Sequence, residues 1–146
     1  MQPGKVMKQF GNQSVVSLLL KRLRQSKNLS EIVVAISDSS SDDPLAEHLS
    51  ELGFPFFRGA ESDVLSRCYF SVENQKADIV VRVTADCPFV DPIVVDAVID
   101  FMQEHGADYA SNVTPPTFPD GLDVEVIKYR VLRECHNRAV SKYDRE

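Results

Sequence analysis

The sequence predicts an α/β fold, a mostly parallel sheet with flanking helices. Three observations carry that expectation. Short β-branched runs at 32–36 and 79–83 are too short for helices and end in turn signals, so they read as buried strands. Each is followed by a polar turn and an Asp-Pro pair that opens a helix, Asp43-Pro44 and Asp91-Pro92. In the second pair Asp91 is the N-cap and Pro92 the first helical residue. Strand and helix patterns then alternate nearly throughout, with no internal repeat and no linker, as a single domain over 1–146 requires.

Taken in order, Pro3-Gly4-Lys5 is a turn followed by a cation, and Gly11-Asn12 is another turn. Residues 13–27 read as a helix, with Val15, Val16, Leu19, Leu20 and Leu23 on one face. Strand 32–36 runs into the polar loop Ser37-Asp38-Ser39-Ser40-Ser41-Asp42. A helix from Asp43-Pro44 carries Leu45, Leu49 and Leu52 and ends at Gly53, a C′ glycine. Phe54-Pro55-Phe56-Phe57 is a short strand ending at Arg58-Gly59. Residues 61–74 are helical, with Val64, Leu65, Cys68, Tyr69 and Val72 on one face. After strand 79–83, the helix over 92–104 turns Ile93, Val94, Ala97, Val98 and Phe101 inward. A strand at 108–113 precedes a loop, 114–121, that three prolines keep irregular. Residues 122–127 alternate with period two, which gives a strand with Asp123 and Glu125 on one acidic face. Residues 129–141 are helical, and the last residues show no terminating structure.

Composition bounds the function. The chain has 146 residues, 43% of them apolar and 26% charged, which suits one globular domain. The formal charge of −6 argues against nonspecific nucleic-acid binding. No apolar run reaches the roughly 18 residues that a membrane span needs, and the start has no signal-peptide pattern. Cys68, Cys87 and Cys135 are odd in number and form no CxxC pair, so neither a zinc site nor a disulfide framework is indicated. Reduced thiols in the cytoplasm are the plain reading.

The chemistry concentrates after strand 79–83. In α/β proteins, sites form at the carboxyl ends of strands. Asp86 occupies that position beside a helix N-terminus, where a single carboxylate can hold a divalent metal that bridges phosphates. It can equally cap the turn before Pro88. Arg82 lies mid-strand among apolar neighbours, and a buried arginine requires a carboxylate or phosphate partner. Arg67 follows Asp63 by four residues, so an i, i+4 ion pair accounts for it as well as a ligand does.

Several stretches together resemble the cytidylyltransferases that activate acidic sugars with CTP, most closely the branch typed by spore-coat polysaccharide biosynthesis proteins. They are Pro3-Gly4-Lys5-Val6, residues 32–37, Asp42-Asp43-Pro44-Leu45, Phe57-Arg58-Gly59, Asp63-Val64-Leu65-Ser66-Arg67, residues 81–88, Asp91-Pro92, Asp108-Tyr109-Ala110-Ser111-Asn112 and residues 118–126. No one of these is specific, but the ordered set is. Related branches act on 3-deoxy-manno-octulosonate and on acylneuraminate-like nonulosonic acids.

The resemblance implies a nucleotide-diphospho-sugar transferase fold, Rossmann-like, and a reaction in which CTP and a sugar acid give a CMP-sugar and pyrophosphate. It implies Mg2+ as cofactor, Asp86 as its carboxylate and Lys5 closing the triphosphate loop. It puts Arg67 and Arg82 on the nucleotide side and Asp120, Asp123 and Glu125 on the acceptor side. In the family a strand and an Arg-x-x-Ser-x-Arg phosphate loop precede Pro-Gly-Lys, and a second metal carboxylate comes later. Neither is in these residues. The expectation is therefore an incomplete domain lacking the first strand, with a possible homodimer favoured by its exposed sheet edges. The alternatives are a noncatalytic nucleotide- or sugar-binding remnant and a glycosyltransferase of the same fold. The second lacks its usual Asp-x-Asp after the strand, where Asp86-Cys87-Pro88 stands.

Overall fold

The computed structural model describes residues 4–146, so Pro3 of the first predicted turn lies outside the described residues. Its elements in chain order are a hairpin of β1 (Gln9–Phe10) and β2 (Gln13–Ser14), then α1 (Val15–Leu23), β3 (Val34–Ser37) and α2 (Asp43–Glu51). β4 (Phe56–Gly59), α3 (Val64–Val72), β5 (Ile79–Arg82), α4 (Pro92–Glu104) and β6 (Tyr109–Ser111) follow. β7 (Glu125–Lys128), α5 (Tyr129–Arg138) and α6 (Lys142–Arg145) complete it, and single 3-10 turns stand at Lys5–Met7 and Ser40–Asp42. The chain forms two compact units. One is the chain up to Ile32 together with Ile79–Lys128, and the other is Val33–Asp78 with Tyr129–Glu146.

The first unit is built on an apolar core. Leu19 and Leu23 of α1 pack with Val94, Val95, Val98, Ile99 and Met102 of α4 and with Val124 and Val126. The predicted helix starts two residues late because Ser14 ends the hairpin and then caps α1, its hydroxyl accepting from the Ser17 amide at 3.1 Å. Gly11 makes the hairpin turn at φ 63°, where a side chain would be strained. α4 matches its predicted bounds, but its outer residues Ile93, Ala97 and Phe101 face solvent rather than the core.

The sheet is where expectation and structure part. β5, β7 and β6 pair in that order, and both pairings are antiparallel. β5, α4 and β6 do form the parallel crossover that the alternation predicts. β7 then returns through the proline loop and inserts between the two strands. Among the described residues only β3 and β4 pair in parallel, so the sheets are small and mixed rather than mostly parallel. β5 accordingly lies half-buried rather than buried, with Arg82 exposed at its end. Asp123 falls before β7 begins, so the predicted acidic strand face reduces to Glu125.

In the second unit β3 and β4 align from Val34 against Phe56 to Ser37 against Gly59. α2 buries Leu45, Ala46 and Leu49 and ends, as expected, before Gly53 at φ 70°. Asp63 caps α3 by accepting from the Ser66 amide at 2.9 Å. The chain end, expected to be unstructured, forms α6 behind a Ser141–Asp144 capping box.

Candidate active site

β5 delivers the chain into two successive turns. The Cys87 amide donates to the Thr84 carbonyl and the Val90 amide to the Cys87 carbonyl, each at 3.1 Å. Val90 is fully buried and anchors the second turn in the core. Arg22 of α1 holds it from outside, its Nε donating to the Val90 carbonyl at 2.7 Å. Asp91 then caps α4, accepting from the Ile93 amide at 2.8 Å, which is the role its position before Pro92 predicts. Asp86 is left at the crest, its side chain 37% exposed.

Lys5 reaches that crest from the first described turn. Its Nζ donates to Asp86 Oδ2 at 2.5 Å. The Lys5 hydrogen bond holds the Asp86 carboxyl below the ordinary aspartate range, against the opposing effect of burial and with a smaller lowering contribution from Thr84. Asp86 is therefore ionised at neutral pH. The structure thus brings together two residues 81 positions apart that the sequence singled out separately.

A second constellation lies across β5, β7 and β6. Arg82 and Glu125 are register partners and form an ion pair. Tyr109 of β6 completes it, its hydroxyl donating to Glu125 Oε1 at 2.8 Å. Arg82 thus has the carboxylate partner its sequence position demanded, but at an exposed strand end. Tyr109 was not singled out from sequence. The sequence carried it only within the matching stretch Asp108-Tyr109-Ala110-Ser111-Asn112, with no role of its own.

Asn112 governs the loop that follows. It is buried, its Nδ2 donates to the Leu122 carbonyl at 2.7 Å, and its Oδ1 accepts from the Val124 amide at 2.8 Å. Its own carbonyl accepts from the Thr117 amide at 3.1 Å. This clasp sets the path of the loop bearing Asp120, which is exposed, and of the half-buried Asp123.

Arg67 belongs to the second unit. Its Nη1 donates to the carbonyls of Ala60 and Glu61 at 2.6 and 2.7 Å, while its buried Nε has no hydrogen-bond partner. The i, i+4 ion pair with Asp63, one of the two accounts the sequence leaves open for Arg67, does not form; Asp63 instead accepts from Arg145 at 2.9 Å. Gly59 makes room for Arg67: a Cβ there would sit 3.0 Å from the arginine Cγ.

The donor set bears on the metal. Among the described residues, no three His, Cys, Asp or Glu side chains cluster as a metal site. A single ionised, partly exposed carboxylate nevertheless fits Mg2+, which keeps several waters and takes the rest of its shell from substrate phosphates.

The fold and this turn define an α/β protein that presents a lysine and an ionised carboxylate at the carboxyl end of a strand, beside a helix N-terminus. Residues 2–143 match the cytidylyltransferase family, and the chain belongs to it. It is 36% identical over 134 residues to the spore coat polysaccharide biosynthesis protein SpsF of Bacillus subtilis, covering 89% of this chain and 55% of that protein. Protein MJ1063 of Methanocaldococcus jannaschii is 32% identical over 142 residues, covering 97% of this chain and 57% of that one. The chain thus spans little more than half the length of these relatives.

Among solved structures, a cytidylyltransferase from Leptospira borgpetersenii superposes with TM-score 0.91 at 29% identity, covering 99% of this chain and 61% of the other. A CMP:2-keto-3-deoxy-manno-octonic acid synthetase complexed with CTP shares the fold at TM-score 0.73 and 14% identity, covering 96% and 73%. Among the described residues no helix is long and apolar enough to cross a membrane.

Proposed function

We propose that the chain contributes the nucleotidyl-transfer site of an enzyme that forms a CMP-sugar from CTP and an acidic sugar. One observation carries the proposal. Lys5 and ionised Asp86 meet at the carboxyl end of β5, in a chain that belongs to the cytidylyltransferase family. In the reaction a sugar hydroxyl attacks the α-phosphorus of CTP in line, the bond to the bridging oxygen breaks, and pyrophosphate leaves. The hydroxyl proton passes to solvent or base. Charge grows on the leaving group, so the site must supply cations there.

Lys5 supplies one such cation. In the free chain Asp86 holds its ammonium group in position. On binding, a triphosphate oxygen would take over that ammonium, leaving the Asp86 carboxylate free to hold Mg2+. Mg2+, when bound through Asp86, supplies charge neutralisation at the phosphates. Arg82 serves the nucleotide side. Glu125, fixed by Arg82 and Tyr109, accepts a hydrogen bond from the acceptor sugar, with Asp120 and Asp123 on the loop beside it. A surface polysaccharide or glycan is the product's destination, in keeping with what SpsF is named for.

The test is pyrophosphate release by the purified chain with CTP, Mg2+ and a panel of acidic sugars, with UTP and ATP as controls. Release with CTP and one sugar acid alone is expected. Equal release with UTP or ATP, or with neutral sugars, overturns the reading. If CTP binds but no pyrophosphate appears with any sugar, the nucleotide-binding remnant takes its place.

A further inference from the structure

Every residue from 113 to 120 is exposed, so apolar packing does not set the shape of the loop between β6 and β7. Its hydrogen bonds do, and those that reach furthest meet at Asn112, which is 5% exposed at the foot of the loop. The Asn112 carbonyl accepts from Thr117, at 3.1 Å from the amide and 3.4 Å from the hydroxyl. Two further bonds are local. The Val113 amide donates to Ser111 Oγ at 3.0 Å, and the Leu122 amide to the Pro119 carbonyl at 3.3 Å.

The side chain of Asn112 has a more specific task. Its Nδ2 donates to the Leu122 carbonyl at 2.7 Å, and its Oδ1 accepts from the Val124 amide at 2.8 Å. Those two groups flank Asp123. One carboxamide therefore grips the backbone of Asp123 from both sides, as an antiparallel strand grips a residue between its ladder bonds. Only this orientation of the amide works, because exchanging its ends would set N–H against N–H and oxygen against oxygen.

The grip continues the sheet. Ser111 and Glu125 are the last register pair of β6 and β7. One step on, the Asn112 amide donates to the Val124 carbonyl at 3.3 Å, and its side chain then carries the ladder past Asp123 while the backbone turns away into the loop. Glu125 is aimed by its own side-chain bonds, to Arg82 and Tyr109. Asp123, half-buried, is aimed through its backbone.

We propose that Asn112 is a positioning residue for the acceptor. It touches neither substrate. By holding the peptide groups on both sides of Asp123, it points that carboxylate at the hydroxyls of the sugar acid. This rests on the reading of Asp123 as an acceptor-side group. The nucleotide side, at Lys5 and Asp86, does not depend on it.

Steady-state pyrophosphate release tests it, with Mg2+, CTP and the sugar acid that the parent chain accepts, and circular dichroism melts as the folding control. Asn112→Ala removes both bonds and should raise the KM for the sugar by about tenfold, leaving the KM for CTP unchanged. Asp123→Ala should do the same. The double variant should be no worse than either single one, because Asn112 acts through Asp123. Asn112→Asp has the same shape and loses only the donor to Leu122, so it should move the sugar KM in the same direction, and it replaces Asn112→Ala if that chain does not fold. An unchanged sugar KM overturns the proposal. So does a CTP KM that rises as much as the sugar KM, or effects that add in the double variant. A parent chain that releases no pyrophosphate with any sugar acid overturns the acceptor reading beneath it, a failure seen in the parent and not in the variants.

Discussion

The two units of the molecule hold themselves together by different means. In the first, a cluster of buried aliphatic side chains from α1, α4, β6 and β7 forms one continuous core, with Val90, Val95, Val124 and Val126 fully buried. In the second, polar and aromatic contacts stand beside a smaller apolar set. Tyr69 stacks on His136 at 4.4 Å and on Tyr129 at 6.0 Å. Arg145 joins Asp63, Ser66 and the carbonyls of His136 and Ala139, tying α6 and the end of α5 to α3. An apolar core is sensitive to volume and indifferent to pH, whereas a charge-assisted network is the reverse. The contrast teaches where the chemistry can sit. Lys5, Asp86, Arg82 and Glu125 are exposed or half-exposed groups mounted on the unit whose rigidity does not depend on them.

The largest expected effect breaks the apolar side of this comparison. Val126→Asp puts an unpaired charge into the centre of the β5–β7–β6 sheet and should destabilise the first unit by about 4 kcal/mol or more. Hydrogen exchange followed by mass spectrometry should show α1, α4 and the three strands losing protection while β3, β4 and α2 keep theirs. Simultaneous loss throughout would mean that the units do not respond separately.

Arg145→Ala tests the polar side and should cost about 2 kcal/mol, since it strips an ion pair and leaves two carbonyl acceptors underused. Exchange should rise in α3, α5 and α6. Unchanged protection there would show that the stacked rings alone hold these helices.

Acid separates the two sides by sign. Burial raises the Asp63 pKa, but hydrogen bonds from the Ser66 amide and hydroxyl and from Arg145 outweigh it, so the group sits below the ordinary value of 3.8. Its contribution to stability is thus present above the unfolded value and lost as pH falls through the lower folded one. Below about pH 4, the second unit should loosen before the core of the first, read as exchange in α3 and α6. Asp63→Asn should flatten that acid dependence. An equally steep acid dependence in the variant would remove Asp63 as its cause.

Much of this was legible in the sequence, and what was not had local causes. α4 could be read to the residue because Asp91-Pro92 and His105-Gly106 punctuate both its ends. The turn bearing Asp86 could be read because a β-branched run stops there. The antiparallel insertion of β7 could not. Strand periodicity says nothing about which neighbour a strand joins, and the proline loop hides the reversal. The Lys5–Asp86 and Arg145–Asp63 pairs join residues about 80 positions apart, beyond the reach of any spacing rule. Arg67 and Asp63 satisfied the i, i+4 rule and still did not pair, because Arg145 supplied a competing partner. Asn112 reads as a polar residue of the strand 108–113 until the following loop folds back on both ends of its amide.

The most direct measurement of the central claim is a calorimetric titration of CTP into the chain, with and without Mg2+, for the parent and for Asp86→Ala. The account predicts binding that needs Mg2+, that UTP and ATP do not reproduce, and that Asp86→Ala abolishes while the melting temperature holds. Undiminished, Mg2+-dependent binding in the variant would contradict it and remove Asp86 from the site.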